Sequence, residues 1–303
     1  MNQIDVADLD CIYLSYDEPD REETWVKIRN MVPWARRVDG VKGSDAAHKA
    51  AAAASTTERF ILIDGDNIPD PVFFNQTLTF ETEEWERAVF RWRARNHING
   101  LMYGNGGVSS WTREYVNNMR THEATDGSVE TQVEFCFDPL YWAMHNCYSD
   151  TYPNESSLQA FRSGFREGVK MCLDRGRKVA MDDFKKMLSH HNIEILNIWH
   201  SIGFDVKNGS WAVYGARVGT YMCMLDPVWN YVEVHNFDSV NAIFQKINSM
   251  NPQMQQEYYK KITDEIRSNL QLPCIDMTAE QSAFWKKYYT KLHSNRGIMD
   301  TAS

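Results

Sequence analysis

The sequence has few of the features that mark membrane, secreted or zinc-binding proteins. No apolar stretch approaches the ~18 residues needed to cross a bilayer, and the first residues show neither the charged nor the apolar region of a signal peptide. The six cysteines are scattered and form no C-x-x-C pair, which argues against a zinc site and for reduced, buried thiols. We therefore expect a cytoplasmic protein that makes no contact with a membrane.

The chain also lacks an excess of positive charge and several catalytic motifs. It has 32 Lys and Arg against 41 Asp and Glu, a net charge of −9, so binding to a polyanion would need a local basic patch. Neither H-E-x-x-H nor G-x-S-x-G occurs, and the glycine segments at 40–44 and 103–107 lack the G-K-[ST] ending of a P-loop. Without a metal motif around them, His145, His200 and His235 are predicted to be buried and hydrogen-bonded.

What the sequence does contain is enough apolar surface for a large core. The chain is 43% hydrophobic over 303 residues, compatible with one large domain or two ordinary ones. In the first part, predicted strands at 10–15, 35–38 and 58–63 alternate with predicted helices at 22–30 and 46–55. This βαβαβ order predicts an α/β fold with a mostly parallel sheet.

The pattern changes to helices in the second half of the chain. We place a domain boundary near residue 146, which gives an α/β domain at 1–146 and a mainly helical region at 147–303. The other predicted elements are a strand at 89–94, a helix at 110–120, an extended segment at 126–137, and helices at 156–175, 178–190, 194–202, 236–249, 252–270 and 278–293.

Two aspartates directly follow the third predicted strand. The apolar residues 60–63 end at Asp64-Gly65-Asp66, and the C-terminal ends of strands are where open α/β sheets bind ligands. Carboxylates at i and i+2 can reach one divalent cation, and such hard oxygen ligands suit Mg²⁺ or Mn²⁺ with substrate phosphates completing the coordination. A surface turn is the alternative, because D-G is a common turn dipeptide. The preceding βαβαβ order favours a metal site at Asp64 and Asp66.

Two groups of basic residues are regularly spaced. Arg91, Arg93 and Arg95 alternate along a predicted strand, so their side chains share one face. That face could bind a phosphate or a polynucleotide, or it could be a solvated surface. Arg162, Arg166 and Lys170 share one side of a predicted helix, which is either a solvated face or a ligand site.

Two loops supply further candidates. The segment Asn105-Gly106-Gly107 lets a ligand approach the backbone closely before a predicted helix, although a structural turn has the same composition. In the loop at 150–155, Asp150 and Glu155 are candidate general bases, although most loop carboxylates only solvate the surface or cap a helix.

Residues 42–71, with the phrases VKGSDAAHKAAA and DGDN, resemble nucleotide-sugar-dependent glycosyltransferases of the GT-A fold. Together with NGLMYGNGG and NGSWAVYGARVG, they are similar to glycosyltransferases of tailed bacteriophages. Some of that group modify phage DNA, notably by adding arabinose to hydroxymethylated cytosine. The resemblance covers about the first half of the chain. Its D-x-D motif is short, so its specificity comes from the surrounding elements.

This resemblance implies a GT-A-like fold and metal-dependent transfer of a sugar, such as arabinose, to a hydroxyl acceptor. Asp64 and Asp66 would hold Mn²⁺ or Mg²⁺, and a UDP-sugar is the expected donor. The implied acceptor is 5-hydroxymethylcytosine in DNA, contacted through Arg91, Arg93 and Arg95, and a phage-encoded protein would act in the host cytoplasm. The residues assigned to the nucleotide sugar are Ser15, Tyr16, Asp17, Lys42, Lys49, Asp64, Gly65, Asp66, Asn105, Gly106, Gly107, Arg162 and Arg166.

The sequence departs from this family at the position of the catalytic base. No E-D or D-D pair is recognisable there, so Asp150, Glu155 and Asp138 are the candidates, and inversion or retention at the anomeric carbon stays open. A glycan or protein acceptor is an alternative to DNA. A nucleotidyltransferase is a second alternative, although no glycine-rich, lysine-bearing loop follows the first strand. A non-catalytic module for nucleic acid or glycans is the third, and the intact Asp64/Asp66 pair argues against it.

Overall fold

The computed structural model describes residues 2–103, 107–119, 121 and 138–299, with the backbone alone for 291–299. The chain forms two compact units. The first comprises Met1–His97, Met102–Tyr152 and Leu292–Ser303, and the second comprises Ile98–Leu101 and Pro153–Lys291.

The first unit is built on a mixed β-sheet. Its strands and helices, in chain order, are β1 (Asn2–Asp5), β2 (Asp10–Ser15), α1 (Arg21–Met31), β3 (Arg36–Asp39), α2 (Ser44–Ala54), β4 (Arg59–Asp64), β5 (Asn67–Pro69), β6 (Thr77–Phe80), α3 (Glu83–Arg87), β7 (Val89–Asn96), β8 (Met102–Tyr103), β9 (Val108–Thr112), α4 (Arg113–Asn118) and β10 (Tyr141–Thr151).

The predicted βαβαβ unit is confirmed as β2-α1-β3-α2-β4, with ends that differ from the predicted ones by at most two residues. Strand β2 pairs in parallel with β3 on one side and with β4 on the other. The two helices cover opposite faces of these strands. Ile28 of α1 packs with Tyr13 and Ile63, whereas Ala51 of α2 packs with Ile12 and Leu62. The strand order therefore reverses at β2, which makes the carboxyl ends of β2 and β4 a topological switch point.

The sheet as a whole is mixed, which corrects the expectation of a mostly parallel sheet. In the described residues its strand order is β3-β2-β4-β9-β7-β10-β5, with β8 beside β7. Strand β9 runs antiparallel to both β4 and β7, while β10 is parallel to β7. A parallel neighbour needs a long crossover connection, usually a helix. The described residues between β7 and β9 contain no helix, so β9 returns antiparallel.

The elements around β9 and β10 differ from the predicted ones. The helix predicted at 110–120 is wrong at its start, because residues 110–112 belong to β9 and α4 covers only Arg113–Asn118. The three residues in β9 are buried in the sheet. The extended segment predicted at 126–137 lies outside the described residues. Strand β10 was not predicted, and it runs through the position at which the sequence placed the domain boundary.

The second unit is mainly helical. Its elements, in chain order, are α5 (Ser157–Lys170), β11 (Leu173–Asp174), β12 (Arg177–Lys178), α6 (Phe184–Met187), α7 (His190–Trp199), α8 (Gly209–Met224), α9 (Phe237–Asn248), α10 (Pro252–Leu270) and α11 (Ala279–Met299), whose last turns lie beyond Lys291.

Helices α5 and α8 pack backbone to backbone at the centre of this unit. A Cβ on Gly164 would lie 1.9 Å from the carbonyl oxygen of Ala212, and one on Gly215 would lie 2.3 Å from that of Phe161. Only glycine fits at either position, because such Cβ contacts are sterically forbidden. Helix α8 was not predicted from the sequence. The long helix predicted at 178–190 is also wrong, since only the short α6 and a 3-10 turn form there.

A polar cluster is buried beside α8. Arg217 is fully buried and donates to the carbonyl oxygen of His200 at 2.6 and 2.9 Å and to Thr263 Oγ1 at 3.0 Å. Burial lowers the pKa of His200 to about 3, with the Arg217 charge adding to the shift, and its Nε2 lies 2.9 Å from Thr220 Oγ1. The prediction of a buried, hydrogen-bonded histidine is confirmed for His200. It is wrong for His145, which is exposed because it lies on the open face of β10.

None of the helices in the described ranges combines the length and the apolar character needed to cross a membrane.

Candidate functional site

Three carboxylates lie at the switch point of the first unit. Asp64 is the last residue of β4 and pairs with Leu14 near the end of β2. Asp66 follows two residues later, and Glu18 comes from the loop after β2. Ligands of open α/β sheets bind outside the carboxyl ends of strands where the strand order reverses. We call Glu18, Asp64 and Asp66 the carboxylate site.

The Asp64-Gly65-Asp66 turn is fixed by hydrogen bonds from three other segments. The amide of Asp64 donates to the carbonyl oxygen of Gly107 at 2.7 Å. The buried Tyr13 hydroxyl donates to the Gly65 carbonyl at 2.8 Å, and the amide of Tyr152 donates to the Asp66 carbonyl at 2.8 Å. Residues 65 and 66 form a turn at the surface, as the alternative reading of the sequence had it, and these hydrogen bonds attach that turn to the sheet.

Asn67 supports the carboxylate of Asp66. Its Nδ2 donates to Asp66 Oδ1 at 2.8 Å, and its Oδ1 accepts from Ser149 Oγ at 3.1 Å. Gly107 makes room for this side chain, because a Cβ there would lie 2.0 Å from Asn67 Nδ2. The glycine predicted to permit close backbone approach does so for Asn67, while Asn105 and Gly106 lie outside the described residues.

Glu18 was not predicted as a site residue. Its Oε2 accepts from the Tyr16 amide at 2.8 Å. A Cβ on Gly65 would lie 2.4 to 2.6 Å from the Glu18 carboxyl atoms, so this carboxyl group lies directly over the turn. The one signal in the sequence was an acidic loop after the first strand of a βαβαβ unit, which by topology ends at the same edge as Asp64.

The pKa values of all three carboxyl groups are raised. The Asp64 side chain reaches solvent, but the protein around it displaces enough water to raise its pKa to about 8, and the charges of Asp66 and Glu18 add to the shift. Burial also raises the pKa of Asp66, against hydrogen bonds from Thr151 and Asn67. The pKa of Glu18 is raised by burial and by Asp66. The protonated forms of these carboxyl groups are therefore favoured, and a bound cation would favour the ionised carboxylates instead.

The donor set fits a divalent cation only in part. Asp64 and Asp66 offer hard oxygen ligands, the type that Mg²⁺ and Mn²⁺ prefer. In the part of the chain that the structure describes, no three His, Cys, Asp or Glu side chains are grouped to hold a metal ion. A cation at Asp64 and Asp66 would thus take its other ligands from water or from phosphate oxygens, as Mg²⁺ commonly does.

The residues predicted to line the nucleotide pocket have different environments. Ser15 is buried and donates to Asp39 Oδ1 at 2.6 Å, while it accepts from Arg37 Nε at 2.9 Å. Tyr16, Asp17 and Lys42 are exposed. Lys49 lies on α2 and forms an ion pair with Asp45 at 2.6 Å. The structure thus leaves Tyr16 and Asp17 beside the carboxylate site and directs the Lys49 charge to Asp45.

Asp39 is a second functional candidate that sequence reasoning missed. It ends β3, directly beside the end of β2, where Ser15 pairs with it. Hydrogen bonding from Ser15 and the charges of Arg37 and Arg21 keep its pKa low, so it is an ionised acceptor. An acidic residue at this position of a nucleotide-binding sheet can accept from ribose hydroxyls.

The three candidate bases already accept hydrogen bonds, and two of them are ion-paired. Asp150 accepts two hydrogen bonds from Arg95, at 2.7 and 2.9 Å. Glu155 belongs to the second unit and pairs with Lys207 at 2.9 Å. Asp138 accepts from the Leu140 amide at 2.8 Å. Each carboxylate already has donors, so a role as general base requires that the ligand displace them.

The predicted basic groups also have partners. Arg93 lies 3.1 Å from His145 Nδ1, and the Arg91 guanidinium lies 5.4 Å from the centre of the Tyr141 ring. In the second unit, Arg162 and Arg166 both stack over the ring of Phe237, at 5.2 and 5.0 Å. The prediction that these last two share one face of a helix is confirmed, while their contact with a nucleotide sugar stays a prediction.

The second unit also has an open cleft of ≈ 720 Å³, whose lining includes Lys178, Met224, Asp226 and Glu265. None of the site residues predicted from the sequence lines this cleft. Its charges are mixed, so nothing in its lining selects a ligand.

Comparison with known proteins found no matching family, no matching curated protein and no matching solved structure.

Proposed function

We propose that the first unit binds a nucleoside-diphosphate sugar through a divalent cation and that the protein is a glycosyltransferase. The observation that carries the proposal is the pair of Asp64 and Asp66 at a topological switch point, fixed by the sheet and without an ion pair to any residue that the structure describes. A diphosphate with Mn²⁺ or Mg²⁺ supplies both the missing positive charge and the missing oxygen ligands.

The residues of the site have separate tasks in this proposal. Asp64 and Asp66 would hold the cation, which supplies positive charge against the departing diphosphate when it is bound. Asn67 and Thr151 orient the Asp66 carboxylate. Tyr16 and Asp17 border the space in which the nucleotide would lie.

A hydroxyl acceptor completes the proposed reaction. The resemblance to phage enzymes points to 5-hydroxymethylcytosine in DNA, with a glycan or protein as the alternative.

The cysteines that the structure describes carry free thiols, four of them buried, so the protein can be assayed under reducing conditions.

A nucleotide-release assay tests this proposal. The protein is incubated with Mn²⁺ and UDP-, GDP- and CDP-sugars, with and without hydroxymethylcytosine DNA. Release of a nucleoside diphosphate supports a glycosyltransferase, and its dependence on the modified DNA identifies the acceptor. Release of pyrophosphate from nucleoside triphosphate and sugar phosphate would instead show a nucleotidyltransferase. No release from any donor would contradict the proposal.

A further inference from the structure

The register of the sheet places basic residues on the same face as the carboxylate site. Ser109 of β9 pairs with Leu62 of β4 on one side and with Arg91 of β7 on the other. Strands β4 and β7 run in the same direction, since each is antiparallel to β9. Two residues further along, Arg93 is therefore level with Asp64 and on the same face of the sheet. Arg95 lies two residues further along β7, on the same face and next to the carboxyl end of the strand.

The distance across this edge suits a bound anion. Neighbouring strands are about 4.8 Å apart, so the backbones of β4 and β7 are separated by about 10 Å. Arg93 and Arg95 contact His145 and Asp150 instead of the carboxylate site. We call Arg93 and Arg95 the cationic flank.

The partners of the cationic flank can be exchanged. The Arg95 side chain is 44% exposed and that of Asp150 is 31% exposed, and they form a two-pronged ion pair. A guanidinium group that binds a carboxylate in this way has the geometry to bind a phosphate group instead. Among the described residues, Arg93 contacts the exposed His145.

Resting on the proposed function, we infer that Arg93 and Arg95 bind the diphosphate of the ligand opposite the cation held by Asp64 and Asp66. Asp150 then competes with the diphosphate for Arg95 and holds that side chain at the edge of the sheet while the ligand is absent. This differs from the expectation that all three arginines contact DNA. Arg91 lies further from the edge, level with the buried Leu62, where it packs over Tyr141.

Calorimetric titration with inorganic pyrophosphate in the presence of Mn²⁺ tests the inference. Pyrophosphate carries neither the nucleoside nor the sugar of the proposed donor, so it probes the diphosphate contacts alone. Arg93→Gln and Arg95→Gln should each weaken pyrophosphate binding about tenfold or more, the usual effect of losing a hydrogen bond between charged groups. Titration with Mn²⁺ alone should be unchanged in both variants. Arg36→Gln is the matched control, because Arg36 lies at the amino end of β3, far along the same sheet.

Asp150→Asn separates ligand binding from a structural role of the ion pair. If Asp150 competes for Arg95, this variant should bind pyrophosphate several-fold more tightly than the natural protein. If the pair only joins β7 to β10, then Asp150→Asn and Arg95→Gln should affect binding in the same direction, which would overturn the inference.

The result for the natural protein distinguishes the two proposals. No pyrophosphate binding with Mn²⁺ would contradict the proposed function itself. Binding that Asp66→Asn abolishes, and that both arginine variants leave within twofold of the natural protein, would overturn the inference and leave the proposed function intact.

Discussion

At the scale of single residues, the carboxylate site holds three acidic groups where ionisation is unfavourable. Burial raises the pKa of Asp64, Asp66 and Glu18, and the charges of neighbouring carboxylates add to the shifts. A fold selected only for stability would pair such groups with cations, as it does at Asp39 with Arg37. Residues that lower stability in this way cluster at sites of ligand binding and catalysis.

Asp64→Asn should therefore raise the melting temperature of the metal-free protein at neutral and alkaline pH. In the unfolded chain Asp64 ionises near its ordinary pKa of 3.8, and in the folded protein near 8. Between these values the folded state binds the extra proton, so the contribution of Asp64 to stability falls as the pH rises. Asp64→Asn has no carboxyl group at this position, so it does not lose stability in this way as the pH rises.

Melting curves from pH 4 to pH 9 check this prediction. The difference between the variant and the natural protein should be small at pH 4 and grow towards pH 8. Asp8→Asn, at the exposed amino end of the sheet, should show no such trend. A lower melting temperature for Asp64→Asn throughout this range would contradict the prediction.

Glu18→Gln should shift the pH dependence of cation binding. Carboxylates must lose their protons to bind a metal, so the affinity for Mn²⁺ should rise with pH up to about 8 in the natural protein. Removing the Glu18 charge lowers the pKa of Asp64, which moves the rise in Mn²⁺ affinity to lower pH. Titrations with Mn²⁺ across this range measure the midpoint. A midpoint that stays in place would show that Glu18 does not act on the other two carboxylates.

The sequence was sufficient to find Asp64 and Asp66 but not their partners. An apolar strand that ends in two carboxylates is a local pattern, readable from consecutive residues. Glu18 reaches the site through the path of a loop, and Arg95 meets Asp150 through the register of two strands 55 residues apart. Neither the loop conformation nor the register can be derived from composition or spacing.

At the scale of helices and strands, a helix could be predicted from the sequence when it had distinct polar and apolar faces. Helix α10 was predicted with its observed ends, because Pro252 follows an Asn251 cap and its polar and apolar faces are distinct. Helix α8 was missed. It is buried on most sides and contains Gly209, Gly215 and Gly219, so it lacks both a polar stripe and a strong intrinsic preference for helix.

Gly215→Ala should destabilise the second unit, although alanine is the better helix former. The propensity gain is about 1 kcal/mol, whereas the new Cβ would lie 2.3 Å from the carbonyl oxygen of Phe161. Backbone shifts forced by overpacking cost about 1–3 kcal/mol, and α5 and α8 are too closely packed to separate locally. We expect a net loss of up to about 2 kcal/mol in the free energy of unfolding.

Denaturant unfolding measures this loss. Ser210→Ala is the control on the same helix, since Ser210 is exposed and should tolerate alanine. Equal or greater stability of Gly215→Ala would show that α5 and α8 can move apart to admit a methyl group.

At the scale of the whole molecule, the sequence predicted an α/β unit followed by helices, and the structure has both. The mixed character of the sheet was not predictable, because the direction of β9 depends on a connection without a helix. The net charge of −9 makes general attraction to DNA weak. If DNA is the acceptor, recognition must depend on local contacts, and binding should weaken steeply as the salt concentration rises.

The most direct test of the central claim is nucleoside diphosphate release by Asp66→Asn. The natural protein, Asp66→Asn and the control Asp8→Asn are assayed with Mn²⁺ and the donor sugar that gives the highest rate. We predict at least a hundredfold loss of release in Asp66→Asn, the usual scale for removing a group that stabilises developing charge, with a melting temperature no lower than that of the natural protein and a fully active control. Release by Asp66→Asn at the rate of the natural protein would contradict the account, because the aspartate pair would then have no part in the reaction.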